Sequence, residues 1–572
     1  MTTTLATPFF TLLNSDFIPS DDEVSQIDSL LTHQSYYLQD IESDIKRAKA
    51  LYDDLMSQRS KLLEVMNGHR KLVSLPRRDA VPMDVLQEIF LHCLPSNTSD
   101  RNEMPLVLTL VCKRWRQTAM VMPKLWTSIH LTIPRYLPNG ILSSELEHNQ
   151  DDTSSKSCVI RKVEMQAAGM LEWLARSRNR SLSITILDQN SFITSDNHLQ
   201  PIFNALLPTS NRLKELQMTT SPIRFAEFLK TSQSIYPILE TLQLAFIPNW
   251  TPTRIPLPIP NIDMWKKSPL LSAPSLRQLK LFRIPIDVTV LSVTWDCLTH
   301  LTIHCSVGPS SANEGFKLLA RCTNLVIFRL TIACALSPFT FPLLPNHAAA
   351  IQYEKVTLPN LTTLSITDGN SNDDPSVLES ISMPSLASVD WFWLSRTRSP
   401  IQSLVQNYCL RRLNTNAQLF DSDDFIHCLR SCPNIDHLIL SSPSAQEWRR
   451  RTIDGSDEFL RLLSTTNTNG VYLCSKLEVL ERSDGGAKYT EQALLDFVKV
   501  KQAGRDGLAK LRRLAIVFSR QQIQPIASML EPYLSEGLEV VLEYSDKSST
   551  PNTLSIVDDS PREYYFKRSR II

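Results

Sequence analysis

Leu276-Arg-Gln-Leu-Lys-Leu-Phe282 is followed 22 residues later by Leu298-Thr-His-Leu-Thr-Ile-His304. Both carry L-x-x-L-x-L with conservative replacement. Working outward, the spacing recurs at Leu239/Leu242/Leu244 and Leu213/Leu216/Met218 before them, and at Leu325/Phe328/Leu330, Leu361/Leu364/Ile366, Leu386/Val389/Trp391, Ile435/Leu438/Leu440 and Leu511/Leu514/Ile516 after them. Weaker copies stand at Leu182, Leu410/Leu413 and Leu477/Leu480. The last two leucines of each copy are two residues apart, so they point to one face of a strand and the residues between them to the other.

From Leu213 to Ile435 the copies step by 26, 37, 22, 27, 36, 25, 24 and 25 residues. Most steps fall in the 20–29 residue range of leucine-rich repeats, and the longer ones read as insertions. Such an array forms one strand per repeat, its leucines stacked on the next copy and a helix or irregular segment returning behind it. Phe316–Cys322 and Phe425–Cys432 read as return helices. The proline-dense Ile247–Pro260 reads as a surface loop, and Ser143–Lys156 and Ser545–Asp559 as polar, mobile insertions.

Upstream, Ile27, Leu31, Gln34, Leu38, Ile41, Ile45, Ala48, Tyr52, Leu55, Arg59, Leu62 and Met66 alternate in steps of four and three. This predicts an amphipathic helix over about 22–67 with a heptad seam, stopped by Asn67-Gly68. Two uses of the seam are open: a coiled-coil homodimer, or a helix folded back on its own chain. Between them and the repeats lies Val81-Pro-Met-Asp-Val-Leu-Gln-Glu-Ile-Phe90, then Leu110-Val-Cys-Lys-Arg-Trp115 and Pro123-Lys-Leu-Trp126. Pro82 suits a first helical turn, where its missing N–H has no partner to lose. A second helix is expected from Leu106 to about Met122, with Leu110, Val111, Trp115, Thr118 and Ala119 on its apolar side. Helices this short bury little surface alone, so a partner is expected to complete them.

Composition narrows the chemistry. Lys+Arg and Asp+Glu are both 59, so no whole-chain field draws the protein to nucleic acid or an anionic membrane. Only 13 glycines occur in 572 residues, and neither phosphate-cradling glycine motif is present. Eleven cysteines are scattered singly, and no run approaches the ~18 apolar residues of a membrane span. With no basic segment before the first apolar residues, a cytoplasmic or nuclear location is expected, and the Tyr564–Arg570 tail is a weak nuclear-import candidate. His427, Cys428, Cys432 and His437 have zinc-ligand types at a spacing that fits no common site, so packing is the reading for the cysteines. Asp373-Asp374 and Asp423-Asp424 lack a calcium-loop context. No catalytic residue, cofactor or metal is assigned.

The string Pro82-x-Asp84-Val85-Leu86-x-x-Ile89-Phe90, Leu110-Val111-Cys112-Lys113-x-Trp115, Pro123-x-Leu125-Trp126 resembles the F-box-like proteins abundant in mushroom-forming fungi. Its opening departs from the usual Leu-Pro-x-Glu, reading Val81-Pro82-Met83-Asp84. The resemblance implies docking on a Skp-type adaptor, and through it on cullin and RING subunits of an SCF-type ubiquitin ligase. It assigns adaptor contact to Pro82, Val85, Leu86, Ile89, Phe90, Val111, Cys112 and Trp115. The protein substrate would then bind the residues that alternate with the buried leucines: Gln278, Lys280, Phe282, His300, Thr302, His304, Ile327, Arg329, Thr331, Ser388, Asp390, Phe392 and Arg513. The expected fold is α+β and multidomain: an N-terminal segment with the helix (1–72), a small all-α F-box (73–135), an irregular α/β leucine-rich-repeat solenoid with insertions (136–545) and a tail (546–572). The alternative is a non-ligase scaffold dimerised by the N-terminal helix.

Overall fold

In the computed structural model of the chain, every copy of the leucine pattern becomes a turn and a short strand. The structure describes residues 8–9, 18–79, 81–94, 105–134, 152–188, 199–231, 235–247, 262–284, 288–305, 318–332, 355–368, 380–393, 410–416, 422–441, 456–466, 470, 472–483, 487–504, 507–518 and 520–544. Residues 248–260, Asp373-Asp374, 545–559 and the tail lie outside them. The chain divides into two compact units, Met1–His92 and Cys93–Ile572, a boundary inside the segment read as 73–135.

The first unit holds α1 (Asp21–Asp79) and α2 (Met83–His92). The helix expected over 22–67 is longer, and Asn67-Gly68 does not stop it. Gly68 keeps a helical backbone instead of turning left-handed, and a glycine inside a helix costs only about 1 kcal/mol against alanine. Along the seam Leu31, Leu38, Ile45, Tyr52, Leu55 and Leu62 are 54–62% exposed.

The second unit opens with α3 (Leu106–Val111) and α4 (Lys113–Val121), where one continuous helix was expected. Cys112 breaks it, with extended backbone and a side-chain sulfur that accepts from the Trp115 N–H at 3.5 Å to cap α4. A 3-10 turn, Pro123–Trp126, then leads into β1 (Ser128–Thr132). Next come α5 (Asp152–Ser177), β2 (Leu182–Leu187), α6 (Gln200–Leu206), β3 (Leu213–Thr220), α7 (Pro222–Thr231), β4 (Thr241–Phe246), α8 (Ile262–Lys266), β5 (Gln278–Phe282), β6 (His300–Cys305) and β7 (Ile327–Ile332). There follow β8 (Val356–Thr357), β9 (Thr363–Asp368), β10 (Ile381–Ser382), β11 (Ser388–Trp393), β12 (Arg412–Thr415), α9 (Ser422–Arg430) and β13 (His437–Leu440). The unit ends with α10 (Asp457–Ser464), β14 (Val479–Arg482), α11 (Glu491–Ala503), β15 (Arg513–Phe518), α12 (Ala527–Ser535) and β16 (Glu539–Tyr544). The residues from Asp152 onward, expected as a polar insertion, begin a 26-residue helix whose Val163, Ala167, Met170 and Leu174 are buried at helical spacing.

Fourteen strands make one open parallel sheet in chain order, β8 and β10 pairing apart as a second, two-stranded one. The register repeats without a slip from β3 to β16, so Leu216, Leu242, Leu279, Leu301, Phe328, Leu364, Val389, Leu413, Leu438, Leu480 and Leu514 lie in one row. All are buried, and each such side chain removed from water is worth about 1.5–3 kcal/mol. The first leucine of each copy turns the chain: the N–H groups of Leu276, Leu298, Leu325, Leu386, Ile435 and Leu477 bond back to the carbonyls of Ala273, Trp295, Cys322, Met383, Cys432 and Cys474 at 3.1–3.3 Å. Between units, one carbonyl takes two N–H groups of the next copy: Arg277 accepts from Thr299 and His300, Thr299 from Val326 and Ile327, and Val326 from Thr362 and Thr363. Phe203, Phe225, Phe228, Trp265, Phe425, Phe459 and Phe497 fill the same continuous core from the connecting segments.

Candidate functional site

On α2, helical spacing splits the expected adaptor residues into two sets. Leu86 and Phe90, four apart, are buried in the free chain, while Pro82, Val85 and Ile89 are exposed on the other side. Leu86 and Phe90 therefore hold the helix in place and leave Val85 and Ile89 as its presented apolar pair. The Leu86 N–H bonds to the Pro82 carbonyl at 3.0 Å, which starts the helix at the proline.

The second unit presents an apolar surface of its own on α3. Leu106, Val107, Leu110 and Val111 are exposed, Leu110 at 75%. Leu110, expected on the packed side, points outward because the break at Cys112 turns α3 away from the line of α4. Cys112 and Trp115 are half-buried. Trp126 anchors this region: it is fully buried, donates through Nε1 to the Ala119 carbonyl at 2.8 Å, packs edge-on against Trp173 with centroids 4.8 Å apart, and carries the Arg176 guanidinium over its ring at 4.8 Å. Its partners Trp173 and Arg176 lie on α5, where no helix was expected because 143–156 reads as a polar insertion.

The third surface is the sheet face opposite the leucine rows. Register sets Gln278, His300, Ile327, Thr363, Ser388 and Arg412 in one line and Gln243, Lys280, Thr302, Arg329, Ser365 and Asp390 in the next. Most are half-buried, as expected for an open strand face. Phe282, His304, Thr331, Thr367 and Phe392 form a further line, but His304 and Phe392 are buried and serve as its floor more than as contacts.

Charge is unevenly spread along this face. Lys280 and Arg329 stand two strands apart in one row, about 10 Å at ordinary strand spacing. Burial, then the Arg329 cation, lowers the Lys280 ammonium from its usual range, while Glu215 opposes the shift. Burial, then the Lys280 and Arg329 cations, likewise lowers the His300 imidazole. Among the described residues neither Lys280 nor Arg329 forms an ion pair. Farther along, the cations are matched: Arg412 meets Asp390 at 3.1 Å, and Arg513 bridges Glu481 at 2.8 Å and Glu539. The face is thus cationic over β5–β7, whereas over β11–β16 its arginines Arg412 and Arg513 are paired with carboxylates.

His427, Cys428, Cys432 and His437 do not converge. Among the described residues no group of three or more His, Cys, Asp or Glu side chains could hold a metal. Cys428 and Cys432 are buried, and the hydrogen bond between them, then burial, pushes the Cys432 thiol up. Among the described residues no helix is long and apolar enough to cross a membrane. No protein-family model matches the chain, and no curated protein matches it.

Proposed function

We propose that the chain is the substrate-recognition subunit of an SCF-type ubiquitin ligase. On this reading 73–135 is an F-box-like domain that docks on a Skp-type adaptor, and the sheet is a leucine-rich-repeat solenoid whose open face holds a protein substrate. The observation that carries it is that each of two short helices ahead of the repeats in sequence leaves apolar side chains open on its own: Val85 and Ile89 on α2, and, separately, Val107, Leu110 and Val111 on α3. Apolar side chains concentrated on small helices mark an interaction surface. The chain then performs no chemistry of its own; it raises the concentration of a substrate beside a conjugating enzyme and orients it.

The cationic stretch at Lys280 and Arg329 supports a substrate segment bearing carboxylates, since half-buried cations gain most from an opposite charge that water cannot screen. Co-purification of the chain with a Skp-type adaptor tests the reading. Val85→Asp with Ile89→Asp should abolish adaptor capture by placing charge in an apolar contact, with folding intact because both side chains are already exposed. Lys280→Glu with Arg329→Glu should keep the adaptor and lose co-purifying substrates. Adaptor capture unchanged by the first pair would refute the docking surface.

A further inference from the structure

The seam of α1 is long, apolar and uncovered. Its twelve positions from Ile27 to Met66 span roughly 60 Å of helix. Ten are apolar or aromatic, and the exceptions are Gln34 and Arg59. Ile41, Leu55, Leu62 and Met66 are exposed together with their neighbours in the seam. An apolar stripe of this length calls for a second helix, and the order of residues along it specifies which.

We propose that the seam is covered by the same seam of a second copy, running antiparallel, with the two-fold axis between Lys46 and Arg47. In a two-stranded coiled coil each seam residue forms a layer with one residue of the other helix. A parallel pair sets every residue against its own copy. Arg59 then faces the partner's Arg59, Ala48 faces the partner's Ala48 and leaves a void, and Tyr52 faces the partner's Tyr52 and crowds. The antiparallel pair gives different layers throughout. Arg59 faces the partner's Gln34, whose amide oxygen can accept from the guanidinium. Ala48 faces the partner's Ile45 and Tyr52 faces the partner's Ile41, small against large and large against medium.

The remaining layers, Leu38 with the partner's Leu55, Leu31 with the partner's Leu62 and Ile27 with the partner's Met66, are wholly apolar. Like charges in a buried layer and an empty layer are both costly. The antiparallel register removes both. Flanking charges do not decide the orientation, because Lys49 meets the partner's Glu42 in the antiparallel pair and the partner's Asp44 in the parallel one. Arg59, Ala48 and Tyr52 decide it.

The pairing stands apart from the adaptor reading, and either can fail alone. The test uses the full chain, in which α1 holds no native cysteine. Light scattering should give the mass of two copies. Two differently tagged copies, one Ile41→Cys and one Tyr52→Cys, should then form the mixed disulfide on mild oxidation in preference to either like-with-like disulfide. A monomer, or an assembly of another size, would overturn the proposal, as would like-with-like disulfides at 41 and at 52.

Discussion

Cys322, Cys432 and Cys474 show how one position of the repeated turn selects the residue that fills it. Each occupies the same place in its repeat, three residues before the leucine that closes the turn, where Ala273, Trp295 and Met383 stand in other copies. The position selects for a buried apolar side chain, and a thiol meets it as a small one. Packing was legible from the odd metal spacing; the shared turn position was not, because it depends on a backbone bond. His304 is a residue whose consequence is measurable. Burial, with the nearby Arg283 cation, pushes its imidazole down to about 4. An unfolded histidine titrates near ~6.5, so between the two values the unfolded chain binds a proton that the folded chain does not, and stability falls as pH falls. From pH 7 to pH 5 this loss is about 2 kcal/mol. Urea unfolding at the two pH values should show a shallower loss for His304→Gln than for the unaltered chain.

At the scale of elements, periodicity located helices better than it bounded them. The heptad pattern found α1 but not its last turns, since Asn67-Gly68 is a weak stop when nothing requires the chain to turn. The apolar run from Leu106 found α3 and α4 but joined them. Nothing in composition forbids a continuous helix there; the break depends on the Cys112 sulfur capping α4 and on the Arg116 Nε–H reaching the Thr109 carbonyl at 2.8 Å. Where a real stop exists, the local chemistry is explicit. α11 ends at Gly504 in the left-handed region, φ 58°, which glycine adopts without a Cβ penalty. It starts at Thr490, whose Oγ1 accepts from the Ala493 N–H at 3.2 Å and donates to Asp457 at 2.9 Å. Thr490→Ala removes both bonds and should lower stability by about 1 kcal/mol in denaturant unfolding, with no change in adaptor capture.

The whole molecule follows from one rule repeated: each strand pairs with its neighbours in chain order. That rule was legible, because nine of the described strands carry the full L-x-x-L-x-L pattern with its last two positions two residues apart. β1 and β16, at the ends, keep the spacing as Ile129/Leu131 and Val540/Leu542 but have Trp126 and Gly537 where the other copies have their first leucine, and so escaped notice; β8 and β10 are two residues long. The candidate site was legible only in part. Register carried Lys280, His300, Arg329 and Asp390 to one face as expected, whereas the burial of Leu86, Phe90, His304 and Phe392 depends on packing that spacing does not reveal. The rule also has a dynamic consequence. β6 is paired on both sides, while β16 is paired on one and keeps most side chains only half-buried, so amide hydrogen exchange should be faster in β16 than in β6.

In the proposed function an exposed apolar edge on α2 docks the chain to an adaptor while the sheet holds its cargo. Calorimetric titration of purified Skp-type adaptor into the full chain tests it most directly. One adaptor per chain should bind, and Val85→Asp with Ile89→Asp should weaken binding at least ~100-fold, the cost of burying uncompensated charge, without changing thermal unfolding. No binding by the unaltered chain, or equal binding by the variant, would contradict it.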